Sequence, residues 1–173
     1  MASDKVIIRD LADSETINTA IIEQFNQYRD SDEVRRSHYF AGRYENIYLD
    51  LAKVPAMQAV MDQAQQFAKQ ILNIEYELKH GFWFNLMLPG QVTQPHRHDD
   101  DDECLSAVYY IDTPENCGEL LLTIESEVTN ITPQAGRFVF FPPDITHEVT
   151  ENKSNYERLS VGMNFGIKCN DDI

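Results

Sequence analysis

Pro95-His-Arg-His-Asp-Asp-Asp-Asp-Glu-Cys-Leu-Ser-Ala-Val-Tyr-Tyr-Ile111 crowds two histidines and an acidic run against an apolar stretch of strand type. His96 and His98 stand two apart, so on an extended chain both imidazoles leave one face, and Asp100 continues that parity. A third histidine, His147, follows Gly136-Arg-Phe-Val-Phe-Phe-Pro-Pro-Asp144. A glycine turn, an apolar strand and a proline turn in that order would deliver an imidazole to the mouth of a barrel. Imidazoles and a carboxylate on one side of an ion leave its other side open, as non-haem iron(II) requires to bind a co-substrate and oxygen. Cysteine is absent from the coordinating positions, which argues against structural zinc; iron(II), manganese and a catalytic zinc all suit.

Outward from this stretch, the hydrophobic period changes once along the chain. Ile17, Ile21, Phe25 and Tyr28 recur at helical spacing after Asp13 or Ser14, either of which can cap a helix ending near Arg29. Pro55 suits a first turn before the stripe Met57, Val60, Met61, Ala64, Phe67, Ala68 and Ile71. Between the two helices, 30–47 is polar and aromatic without clear period and reads as a loop lying over a site. From Ile74 the period is two, with strands predicted near 74–79, 81–88, 94–98, 104–111, 119–124, 127–131, 137–141, 145–149 and 156–166; Val6 to Arg9 makes a short edge strand. Two helices followed by such a series predict a mainly β fold, a double-stranded β-helix or cupin-like jelly-roll backed by two helices. The 173 residues are read as one domain, with a helical layer over 1–73 and a barrel core over 74–167.

The last strand has two unlike faces, and an ordinary barrel would put the apolar one inside. Arg158, Ser160, Gly162 and Asn164 share one face, and Leu159, Val161, Met163 and Phe165 the other. If the apolar face packs under the helices, the polar face lines a cavity, and an inward arginine needs an anion.

Composition narrows the partners. Lys+Arg 14 against Asp+Glu 29 gives −15, which repels phosphate backbones and anionic lipid, so neither nucleic acid nor a membrane is expected as a partner. A small or cationic substrate fits better. No stretch is apolar enough for a signal-peptide core or a membrane span, and Cys104, Cys117 and Cys169 form no disulfide or metal-knuckle pattern, which together predict a cytoplasmic protein.

Over about 80–167 the chain resembles the 2-oxoglutarate and iron(II)-dependent oxygenases. The resemblance is carried by Trp83-Phe-Asn85, Gly90, His96-Arg-His98, Leu-Ser-Ala-Val-Tyr-Tyr110, Gly118-Glu-Leu, Pro133-Gln-Ala-Gly136, Phe-Pro-Pro with His147, and Arg158-Leu-Ser160. It implies iron(II) on a His-X-Asp or His-X-His pair plus the distal His147. It further implies 2-oxoglutarate with its far carboxylate on Arg158 and Ser160, eleven and thirteen residues after His147. A guanidinium can hold that carboxylate through a bidentate pair. Tyr110 resembles the tyrosine that some members add there, and Asn85 is a further co-substrate candidate.

Two counts through the motif disagree by two residues. Counting from Trp83 and Gly90 selects His96 and His98; counting back from Leu105 selects His98 and Asp100. Because a carboxylate offsets the ion's charge, the set favoured here is His98, Asp100 and His147, with His96 as the alternative third ligand. The resemblance implies a dioxygenase that hydroxylates a small molecule or protein side chain, consuming molecular oxygen and releasing succinate and CO2. The rival is a cupin holding metal on His96, His98, Glu103 and His147 without 2-oxoglutarate, and a third class is a metal-free jelly-roll. Metal content separates the last from the other two.

Overall fold

The period-two runs form two antiparallel sheets, and both helical stripes pack on the outside of the larger one. The structure, a computed structural model, describes residues 5–98 and 102–168. In chain order its elements are β1 (Ile7–Asp10), α1 (Ser14–Tyr28), β2 (Arg35–Phe40), β3 (Arg43–Tyr48), α2 (Met57–Leu72), β4 (Leu78–Met87) and β5 (Thr93–His96). There follow β6 (Glu103–Asp112), β7 (Leu120–Ile124), β8 (Glu127–Ile131), β9 (Arg137–Phe141), β10 (Thr146–Val149) and β11 (Arg158–Ile167).

The helices form where their stripes predict. α1 follows Asp13, which takes the N-cap position in a left-handed conformation (φ 54) and makes no side-chain capping bond. The sequence therefore places the start of this helix correctly but not by the capping bond expected. Pro55 lies in the turn before α2, its carbonyl accepting the Gln58 N–H at 3.0 Å. α2 ends on Asn73 in the left-handed region (φ 53), and the next N–H, of Ile74, returns to Lys69 O at 3.0 Å, which closes the last turn.

The larger sheet runs β1-β9-β6-β11-β4-β3-β2 and the smaller β5-β10-β7-β8. Leu159, Val161, Met163 and Phe165 of β11 join Phe84, Phe138 and Phe140 in the core that receives Ile21 and Phe25 of α1 and Val60 and Ala64 of α2. Phe25 and Phe84 meet with ring centroids 4.6 Å apart, and the buried Tyr109 hydroxyl donates to Asn18 Oδ1 on α1 at 2.7 Å. The opposite face of the larger sheet turns toward the smaller one, where Tyr110, Val139 and Phe141 pack with Leu120, Leu122 and Ile145. The apolar face of β11 is thus the helix side and its polar face the interior.

Two expectations about the first half need correcting. Residues 30–47 are not a loop: β2 and β3 form a hairpin, Arg35 pairing with Tyr48 and Phe40 with Arg43, and β3 joins β4 through Ile47 and Phe84. Its buried positions are Arg43, Glu45 and Ile47, so two charged side chains share the inward parity with one apolar one, and no hydrophobic period shows. The runs 74–79 and 81–88 are not two strands either. One continuous β4 begins at Leu78, because its ten residues pair with β11 without interruption from Leu78–Ile167 to Met87–Arg158.

Candidate functional site

Antiparallel pairing of β5 with β10 sets His96 directly opposite His147, so both imidazoles leave the same side of the smaller sheet. Their ring centroids are 4.2 Å apart. His98 lies just beyond β5, anchored by its N–H to Pro143 O at 2.8 Å, and its ring centroid is 5.1 Å from each of the other two. The three offer ligand atoms that all lie within 4.8 Å of one another.

Hydrogen bonds select the atoms that converge. His96 Nδ1 meets Gln94 O at 2.7 Å and His147 Nδ1 meets Ile145 O at 3.0 Å. A carbonyl only accepts, so in each neutral ring Nδ1 carries the proton and Nε2 keeps a lone pair for an ion. Burial, then the neighbouring His96 and His98, push His147 down to about 3, against the opposing bond to Ile145. It is neutral at neutral pH, as a ligand must be.

Deeper between the sheets lies Arg158, 1% exposed. No ion pair among the described residues includes it. Its Nη1 donates to Met87 Sδ at 3.0 Å, while its Nε has no acceptor. Its Cζ stands 5.4 Å from the centroid of Tyr110, whose hydroxyl is likewise buried without a hydrogen-bond partner. Burial pushes that phenol up to about 12, the nearby Arg158 charge pulling the other way. Ser160, between Asn85 and Tyr110 on the neighbouring strands, is also buried. Two orphaned polar atoms beside an uncompensated cation each cost about 1–3 kcal/mol until something satisfies them. An anionic oxygen pair matches that need.

The structure therefore gathers His96, His98, His147, Asn85, Arg158 and Ser160 around one narrow internal cavity. Asp100 lies outside the described residues. Glu103 is not in the histidine cluster; its Oε1 accepts from Asn164 Nδ2 at 2.8 Å. Asn85 faces the cavity, but its amide is engaged by the protein: Oδ1 accepts from Arg43 at 3.4 Å and Nδ2 donates to Thr93 at 3.3 Å.

Sequence reasoning missed Arg43 and Glu45. The buried Arg43 guanidinium donates to Val92 O, Leu86 O and Thr93 Oγ1, and stands 3.8 Å from Glu45, which takes the Gln94 N–H at 2.9 Å. This pair fixes β5 from behind. The usable signal is the alternation of Arg43, Glu45 and Ile47 after the Ala41-Gly42 turn, in which two charged residues share the parity of an apolar one.

Trp83, the first residue of the Trp83-Phe-Asn85 motif, has a specific seat. It pairs with Gly162 across β4 and β11, and a Cβ on Gly162 would overlap its indole. The ring occupies the space that glycine leaves and comes within 5.5 Å of the His98 ring, centroid to centroid. Outside it opens a cleft of about 570 Å³ that includes His38, Tyr48, Phe82, His98 and Asn164. A larger depression of about 790 Å³ beside the C-terminal half of α2 includes none of the three clustered histidines.

A family model described as the 2OG-Fe(II) oxygenase superfamily matches residues 82–166, the stretch that carries the histidine cluster and Arg158. No curated protein matches the chain. Among solved structures, a prolyl-4-hydroxylase from Pseudomonas putida is similar at 20% identity and TM-score 0.66, covering 95% of this chain and 89% of that one. A Trichoplax adhaerens prolyl hydroxylase, solved with a hypoxia inducible factor peptide fragment, reaches TM-score 0.75 at 14% identity, covering 95% of this chain and 84% of that one. The α-ketoglutarate-dependent carbocyclase SnoK of nogalamycin biosynthesis gives 0.75 at 14%, covering 94% and 79%. These likenesses show the double-stranded β-helix fold. No helix among the described residues is long and apolar enough to cross a membrane. Over residues 82–166 the chain belongs to the 2OG-Fe(II) oxygenase superfamily, whose members are oxidoreductases that use iron(II) and 2-oxoglutarate.

Proposed function

We propose that the chain is a 2-oxoglutarate-dependent hydroxylase in which His96, His98 and His147 hold iron(II) and Arg158, Ser160 and Tyr110 hold the far carboxylate of the co-substrate. The observation that carries this is the buried Arg158, without an acid partner and beside an orphaned tyrosine hydroxyl. A carboxylate there would accept from Arg158 Nε and from the phenol, which burial keeps protonated and able to donate.

When bound, iron and 2-oxoglutarate supply the oxygen chemistry, with succinate and CO2 as by-products. The chain's own share is to converge three imidazoles, those of His96 and His147 tied through Nδ1 to backbone carbonyls, to orient one guanidinium, and to restrict water by the narrowness of the cavity. Asp100 is the carboxylate alternative in the ligand set. Three converging imidazoles already meet the need for protein ligands on one side of the ion, so in this proposal Asp100 is dispensable for metal uptake. The substrate is a small molecule or protein side chain admitted through the cleft outside Trp83. The similar structures named above include a prolyl hydroxylase in complex with a peptide fragment and a carbocyclase, so the fold leaves that choice to the cleft.

The test is an anaerobic titration of iron(II) and then 2-oxoglutarate into metal-free protein, watching the weak visible charge-transfer band of a chelated keto acid. The band is expected in the wild type and absent, at the same co-substrate concentration, in Arg158→Ala. A band of equal strength in that variant removes Arg158 from the site.

A further inference from the structure

Across the β4–β11 ladder, Met87 is the direct partner of Arg158. Its side chain is fully buried, and its sulfur accepts from the guanidinium Nη1 at 3.0 Å. Methionine is ordinarily a mobile gap-filler, but this one is fixed from two sides. Its carbonyl takes the amide of the buried Asn152 at 3.0 Å. Its sulfur also receives the Thr93 hydroxyl at 3.6 Å. That hydroxyl accepts from Arg43 Nη2 at 2.9 Å and from Asn85 Nδ2 at 3.3 Å. Its lone pairs are thereby engaged, and its one proton is left for sulfur.

A thioether is a weak, uncharged acceptor. It can fix the direction of one N–H without cancelling the cation. A carboxylate in its place would fix the direction equally well but would neutralise the guanidinium and compete with an incoming acid. We propose that Met87 is a positioning residue for the co-substrate: it holds Arg158 oriented yet uncompensated, and so sets the pocket's preference for a keto acid with a second, distal carboxylate. The inference rests on the proposed function, because it assumes that Arg158 receives that carboxylate.

The experiment measures dissociation constants by calorimetry on manganese(II)-loaded protein for two probes, 2-oxoglutarate and pyruvate. Both chelate a metal through the keto acid, and only 2-oxoglutarate has a distal carboxylate. In Met87→Leu the 2-oxoglutarate constant is expected to rise about five- to tenfold, the size of one modest hydrogen bond to a charged group, with pyruvate unchanged. Met87→Gln, which restores a neutral acceptor, is expected to recover most of that loss. Met87→Glu is expected to abolish the preference for 2-oxoglutarate over pyruvate. Equal weakening of both probes in Met87→Leu, or no change in either, overturns the proposal. Arg158→Ala is the control for the reading beneath it: an unchanged ratio of the two constants there overturns the assignment of Arg158 itself, whereas a lost ratio there with an unchanged one in Met87→Leu overturns only the role of Met87.

Discussion

The indole of Trp83 lies where the side chain of residue 162 would be, and only glycine there permits it. Gly162→Ala should push the ring out of its seat and toward His98. The chain has one tryptophan, so its emission reports on this ring alone. A red-shifted emission maximum, a stability loss of about 1–3 kcal/mol and weaker metal uptake are expected, read by fluorescence during urea unfolding. Wild-type emission and stability in the variant would mean that the indole is not confined there.

His96→Ala and His147→Ala should each lose stoichiometric metal, because removing one of three converging imidazoles leaves two protein ligands. Asp100→Ala should keep it. Metal analysis after dialysis against iron(II) under nitrogen decides the point, and loss of metal from Asp100→Ala would restore the carboxylate to the ligand set.

Acid should destabilise the metal-free protein through His147. Its folded value is about 3, below the ordinary 6.5, so between those limits the unfolded chain binds a proton that the folded chain refuses. This group therefore imposes no penalty above pH 6.5, and stability falls as pH drops from there toward 3, at up to about 1.4 kcal/mol per pH unit. Urea unfolding of metal-free wild type and His147→Gln from pH 7 to pH 4 should give curves that diverge on the acid side, the variant falling less. Parallel curves would show that the folded imidazole titrates freely.

Removing Arg43 should cost more than its position on a hairpin suggests. Arg43→Met leaves Glu45 buried without its cation and deprives Thr93 and Asn85 of a donor. A loss of about 3–5 kcal/mol is expected, with partial recovery in Arg43→Met/Glu45→Leu, where no charge stays behind. Chemical unfolding of both variants checks it, and a loss under 1 kcal/mol in the single variant would place the guanidinium in solvent.

The barrel was legible from Glu103 to Ile167 because its strands are runs rich in β-branched and aromatic residues, most of them separated by turns containing Gly, Pro, Asn or Asp, and the two faces of β11 could be told apart from Arg158, Ser160 and Asn164. The β2–β3 hairpin was not, since its inward positions carry Arg43 and Glu45, and a pattern search scores a buried ion pair as surface. His96 and His147 could be named as candidates from their neighbours in the chain. Their adjacency is a matter of register between β5 and β10, fifty residues apart, which no local pattern encodes. The orphaned state of Arg158 was foreseen only as a need for an anion; that a thioether stands in front of it depends on the β4 register, which the two-strand reading of 74–88 had broken.

The order β1-β9-β6-β11-β4-β3-β2 has a practical corollary for anyone trimming the gene. The segment matched by the family, 82–166, is flanked in the sheet by strands from the first fifty residues, β1 against β9 and β3 against β4. A fragment cut to that segment would present two bare strand edges and, without α1 and α2, an uncovered sheet bearing Phe84, Phe138, Phe140 and Phe165. Bare edges beside an apolar face recruit other copies of themselves, so the minimal fragment is a recipe for insoluble protein, and the N-terminal hairpin travels with the enzyme.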